Sequence, residues 1–131
     1  MEDYPGALAE CEAAIVLAPG EGRLYFDRAQ CRSQLEAEPE GLHEDSLADY
    51  ERALEVGHRE PDVFLAKAIT LQDLEALDLA VAALDAGLAE HPEAAELLYF
   101  RGTFKGALGD DDEGADAGLA RAESLGFVAP V

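Results

Sequence analysis

Cations are scarce in this chain. Its 131 residues hold 9 lysines and arginines against 29 aspartates and glutamates, a formal net charge of −20. A field this negative repels nucleic-acid phosphates and anionic membrane surfaces, and it suits a basic or apolar partner segment. Asparagine is missing altogether. Cysteine occurs only as Cys11 and Cys31, far apart and in no C-x-x-C arrangement. Each lies in an apolar helical context, where a free thiol acts as a small hydrophobe. Glu2 and Asp3 stand where a signal peptide would need a basic segment. Long apolar runs are lacking too. The most apolar stretch, Leu77 to Ala89, is broken by Asp78 and Asp85, which excludes a membrane span. A cytoplasmic protein is the expectation.

Motifs for catalysis and metal binding are equally sparse. There is no Gly-rich phosphate loop and no G-x-S-x-G. His43, His58 and His91 lie near turns without H-E-x-x-H or Cys/His ligand spacing, and they are expected at the surface. The run Asp110-Asp111-Asp112-Glu113-Gly114-Ala115-Asp116 lacks the offsets of a calcium loop. It reads as the acidic start of a helix, where capping and the dipole favour carboxylates. With acids this abundant, no carboxylate pair is informative about acid–base chemistry. No enzyme, no metal and no cofactor are expected.

What is present is a repeat. The chain is 49% hydrophobic, too apolar for a disordered acidic tail. Ala7, Cys11, Ala14 and Pro19 follow one another at intervals of four, three and five. Ser46, Tyr50, Ala53 and His58 keep those intervals, as do Ala80, Leu84, Gly87 and Pro92, and Ala115, Leu119, Ala122 and Phe127. The four anchors stand 39, 34 and 35 residues apart. A period near 34 residues denotes a helical array, in which no single unit folds alone.

Helical spacing and punctuation predict seven helices and no strand. The first spans 6–18 and ends at Pro19-Gly20. The second runs roughly from Arg23 to Ala37, with Tyr25, Ala29 and Arg32 inward, before the loop Glu38-Pro39-Glu40-Gly41. The third, about Asp45 to Val56, ends at Gly57. The fourth opens at Pro61 and carries Phe64, Ala68 and Leu71 inward. Its end, between Gln72 and Glu75, is marked by neither Gly nor Pro. The fifth covers about Ala76 to Glu90. The sixth opens at Pro92, with Leu98, Arg101 and Gly102 inward, and turns at Gly109-Asp110. The seventh covers about Glu113 to Ser124.

These residues resemble the tetratricopeptide-repeat (TPR) family, whose unit is a pair of antiparallel helices. The second-helix half of the motif matches four times, through the intervals above. The first-helix half matches three times: Tyr25 with Arg28-Ala29 and Arg32, Phe64 with Lys67-Ala68 and Leu71, and Leu98 with Arg101-Gly102 and Lys105. Ala29, Ala68, Gly102, Ala14, Ala53, Gly87 and Ala122 stand where that family needs close helix approach. The resemblance implies an all-α, right-handed superhelical stack in one domain. Its parts would be a half repeat at 1–20, repeats at about 21–59, 60–92 and 93–127, and a short tail at 128–131.

The chain also departs from the pattern. Five extra residues lie near Pro39 and Gly41, and one near the acidic turn. His58 and Phe127 replace the family's proline. Arg28, Lys67 and Arg101, with Arg32 and Lys105, replace apolar consensus residues; their stems are expected along the core and their heads on acids of neighbouring helices. The first helix is of the second type and stands without its partner, and no polar helix caps the end. A fragment of a longer array, a misplaced gene start and a self-associating protein all fit those edges.

The resemblance further implies a concave groove lined by the first helix of each pair. Here the lining would be Arg23, Phe26, Gln30 and Gln34, then Asp62, Leu65, Ile69 and Gln72, then Glu96, Tyr99 and Thr103. Phe26, Leu65, Ile69 and Tyr99 are apolar residues outside the expected packing stripe and suit an extended or helical peptide. The Lys/Arg/Asn clamp by which some family members hold peptide C-termini does not fit a chain without asparagine. Asp62 and Glu96 favour a partner with Lys or Arg beside an apolar anchor. The expected function is a non-catalytic adaptor binding a protein or peptide segment. The alternative is a structural or oligomerisation module, self-associating through its terminal helices.

Overall fold

The computed structural model describes residues 4–34, 41–109 and 113–127, with side chains at 6–32, 44–109 and 117–127. Within these the chain forms seven helices: α1 (Tyr4–Leu17), α2 (Gly22–Gln34), α3 (Gly41–Glu55), α4 (Pro61–Asp73), α5 (Leu77–Glu90), α6 (Ala95–Ala107) and α7 (Glu113–Ser124). No strand occurs among the described residues. Of the loop expected at 38–41, residues 38–40 lie outside the described residues and Gly41 instead opens α3; the acidic residues 110–112 and the side chains of Gln34, His43 and Ala115 also lie outside them.

Two helix starts, those of α3 and α6, differ most from expectation. Helix α3 is helical from Gly41 rather than Asp45, because Leu42, His43 and Glu44 all tolerate helix. Helix α6 begins at Ala95 rather than Pro92. The Ala94 N–H donates to the His91 carbonyl at 3.0 Å and closes a turn first.

The unpunctuated end of α4 has a physical account. At the ends of α3 and α7, Gly57 (φ 101°) and Gly126 (φ 88°) reverse the chain. The next residue's N–H then donates back into the helix, from His58 to the Ala53 carbonyl at 2.9 Å and from Phe127 to Ala122 at 3.0 Å. At the end of α4 the same turn is made by Glu75, at φ 61°, with the Ala76 N–H on the Leu71 carbonyl at 2.8 Å.

The chain divides into two compact units between Arg59 and Glu60. In the first, α2 packs on both α1 and α3. Contacts run in opposite directions along α2 and α3. Arg28 meets Asp49, Arg32 reaches back to Asp45, and Gly22 faces Val56 and His58. Tyr25, Phe26 and Ala29 are buried with Tyr50 and Ala53. A β-carbon on Gly22 would come within 2.6 Å of the His58 β-carbon, so only glycine permits this approach.

In the second unit, α4 packs on α5 and α6, α5 on α6, and α6 on α7. The core is Val63, Phe64, Ala68, Leu71, Ala80, Ala83, Leu84, Leu97, Phe104 and Ala122. A β-carbon on Gly87 would lie 2.8 Å from both Leu97 and Phe64. Six of the seven small residues expected at close approaches are buried, and Ala14 is half-buried.

One stripe assignment needs correction. On α6 the fully buried residue is Leu97, at 0% exposure, whereas Leu98 is half-buried. Leu97 and Phe104, seven residues apart, form a second inward row, and Leu97 meets α5 at Gly87. Val63 and Thr70 on α4 keep the same spacing and are also buried.

Candidate functional site

The second unit brings seven of the expected groove residues onto two touching helices. On α4, Asp62, Leu65, Ile69 and Gln72 follow at three, four and three residues, which places them on one face. On α6, Glu96, Tyr99 and Thr103 do the same. Helices α4 and α6 are in contact. Asp62, Gln72 and Thr103 are exposed, and Leu65, Ile69, Glu96 and Tyr99 are half-buried. The Thr103 hydroxyl donates to the Tyr99 carbonyl at 2.9 Å, so its proton is used within the helix. Asp62 and Glu96 each occupy the first turn of their helix, where the dipole favours a carboxylate.

Tyr99 is only partly available. Its ring lies 4.8 Å from Phe127 and 5.1 Å from Phe100. With Leu119, Ala122, Glu123 and Phe127 it walls a recess of about 200 Å³ between α6 and the end of α7.

Phe26 and Gln30 belong to the first unit, and the structure places them differently from expectation. Phe26 is not outside the packing stripe: it is 6% exposed, 5.8 Å from the Tyr50 ring and 5.7 Å from the His58 ring. His58, expected at the surface, is thereby half-buried. The two repeats make one contact twice. Phe26 on His58 and Tyr99 on Phe127 both pair a first-helix aromatic with the residue standing where the repeat family has proline. An aromatic there supplies a stacking partner that a proline would supply less well. Gln30 is half-buried and faces α1, on the wall of a recess shared with Cys11 and Cys31.

The recurring cations are tied internally where their contacts are resolved. Arg28 donates twice to Asp49, at 2.9 and 2.7 Å, and Arg32 donates to the same carboxylate at 3.0 Å. The Asp49 hydrogen bond, against some loss from burial, holds the Arg28 guanidinium above its ordinary value. Arg101 on α6 pairs with Asp85 on α5. Among the described residues, no group of three or more His, Cys, Asp or Glu side chains could hold a metal ion. No helix there is long and apolar enough to cross a membrane.

The ion triad and the second inward row were weakly signalled in the sequence. Asp49 lies one turn from Ser46 and could have been matched to Arg28 and Arg32. The seven-residue spacing of Val63 with Thr70 and of Leu97 with Phe104 recurs after 34 residues.

No protein-family model matches the sequence, and no curated protein matches it. Solved structures do match in fold. A crystal structure of MamA superposes with a TM-score of 0.80 at 14% identity, covering 95% of this chain and 69% of that one. MamA 41-end from Desulfovibrio magneticus RS-1 gives 0.77 at 13%, covering 94% and 66%. A thermophilic TPR protein of Thermus thermophilus gives 0.74 at 21%, covering 92% and 64%. The chain thus spans about two thirds of the length of these structures. At such identities the likeness carries the fold and nothing about partners. Seven helices among the described residues, a motif recurring near every 34 residues and these superpositions together give the chain a TPR-like, all-α helical-repeat fold.

Proposed function

We propose that this protein is a non-catalytic interaction module, and that its second unit takes a basic and apolar protein or peptide segment along α4 and α6. The observation that carries this reading is the row on α4. Leu65 and Ile69 stand one turn apart and half-exposed, next to Asp62, on a helix that touches α6. Apolar anchors flanked by acids suit a segment with Lys or Arg beside a hydrophobic residue. The chain's charge of −20 speeds encounter with such a segment.

The test is a panel of short synthetic peptides that varies basic content against apolar content. Peptides combining both should bind, and Leu65→Asp should weaken them about tenfold or more while circular dichroism stays unchanged. Leu79→Asp, on an exposed part of α5, should leave binding intact. Equal binding by Leu65→Asp and the unmodified protein would sink the assignment. Tyr99→Asp is a poorer probe, because it also disturbs the contact with Phe127.

A second reading, self-association, rests on a different observation. Val16 and Leu17, at the end of α1, are 80% and 86% exposed. Burying two such side chains contributes on the order of 3 kcal/mol. Sedimentation across the micromolar range decides it, and a strict monomer rules it out.

A further inference from the structure

Two thiols widely separated in sequence lie side by side in the fold. Cys11 is on the stripe of α1 that faces α2, with Ala7 and Ala14 one turn away on either side. Cys31 is on α2, seven residues past Leu24 and on the same face. Both cysteines are reduced thiols, and both are half-buried. They share the wall of an open, mostly apolar recess of about 460 Å³. Cys31 is among the neighbours that raise the Cys11 thiol across the α1–α2 contact. The helices that carry them are already in contact, and a disulfide forms where two such Cα atoms stand within about 7 Å. No third ligand is at hand: no metal-binding group of three occurs among the described residues.

The recess also has a charge. Glu10 and Asp27 lie on its wall beside the two thiols, Asp27 being paired with Arg23 at 3.1 Å, so among the described residues of the wall Glu10 carries the uncompensated charge. Burial first, then Cys31 and Asp27, pushes the Cys11 thiol above its ordinary range, against a smaller opposing pull from Arg28. A raised thiol has a lower thiolate fraction, which slows exchange with every disulfide, and the nearby acids slow anionic reagents further, which leaves neutral or cationic ones favoured.

We propose that Cys11 and Cys31 form a redox pair that closes to an intrachain disulfide by exchange with a small neutral or cationic disulfide, tying α1 to α2. One cysteine thiolate attacks a sulfur of the reagent, which breaks the reagent's S–S bond and releases its first thiol. The second cysteine then attacks the protein sulfur of this mixed disulfide and releases the second thiol. Two protein thiols are oxidised to one S–S bond, the reagent is reduced to two thiols, and the cysteine protons end on the released sulfurs. Excess thiol reverses both steps.

The experiment treats the full, native chain with cystamine, which is cationic, or with glutathione disulfide, which is anionic. It reads intact mass, thiol content and thermal unfolding. Cystamine should remove two hydrogens per chain, leave no adduct and produce no dimer. It should react on the order of tenfold faster than glutathione disulfide at low salt. The bridge should raise the unfolding temperature on the order of 10 °C, and dithiothreitol should restore the starting value. Cys11→Ser and Cys31→Ser should each retain a mixed-disulfide adduct without that rise. Adducts persisting on both cysteines of the unmodified protein, interchain dimers, or oxidation only after urea unfolding would each overturn the pair. Equal rates with the two reagents would overturn the charge selection.

Discussion

The two compact units solve one packing problem by different means. In the first, α2 and α3 are joined by directional polar contacts. Arg28 and Arg32 converge on Asp49, and the Ser46 hydroxyl donates to the Ala29 carbonyl at 3.3 Å. In the second, α4, α5 and α6 meet through the absence of a side chain, at Gly87 against Phe64 and Leu97. Polar contacts demand a partner, whereas a close approach demands only empty space. The first unit, which also has a glycine-only approach at Gly22, should therefore be sensitive both to loss of charge at Asp49 and to gain of volume, and the second chiefly to gain of volume.

The largest effect is expected at Gly87. Gly87→Leu should cost about 3 kcal/mol in urea unfolding, because its side chain has nowhere to go. The sharper variant is Gly87→Ala. In an ordinary helix this exchange stabilises by about 1 kcal/mol. Here it should destabilise, and a gain in stability would break the contrast between the units. Next comes Asp49→Ala, which leaves two partly buried guanidiniums unpaired and should cost about 2–3 kcal/mol. Replacing Arg28, Arg32 and Asp49 together by Met, Met and Leu should recover most of that loss. If the triple variant is no better than Asp49→Ala alone, the polar contacts do not account for the first unit's stability. The smallest effect is at Glu75, held at φ 61°. Glu75→Gly should raise stability by about 1 kcal/mol, visible as a higher unfolding temperature. Gly57→Ala, the reverse change in the other unit, should lower it by a similar amount.

Much of the fold was legible in the sequence because close packing leaves few choices. Ala29, Ala53, Ala68, Gly87 and Ala122 are small where helices touch, and smallness at fixed intervals is visible in a string of letters. The turn at Glu75 was not legible. A left-handed residue is betrayed by glycine, and here tertiary packing of α4 and α5 holds a glutamate in its place. The site was less legible than the fold. Periodicity assigned Phe26 and Tyr99 to the same outward position, and their actual environment depends on His58 and Phe127, whose rings arrive from the far end of the repeat. Cys11 and Cys31 likewise carry no local signal. Only the packing of α1 on α2 brings them together.

Tyr25 has a use in the optical study of this molecule. Its ring has the Arg28 and Arg52 guanidiniums each at 5.8 Å, and its hydroxyl donates to the Pro19 carbonyl at 2.7 Å. The chain contains no tryptophan. Phenol absorbance and emission are therefore unobscured by indole, and the asymmetric surroundings of Tyr25 should give it near-ultraviolet dichroism. A Tyr25→Phe difference spectrum would isolate a native signal from the first unit, allowing its melting to be followed separately from that of the rest of the chain.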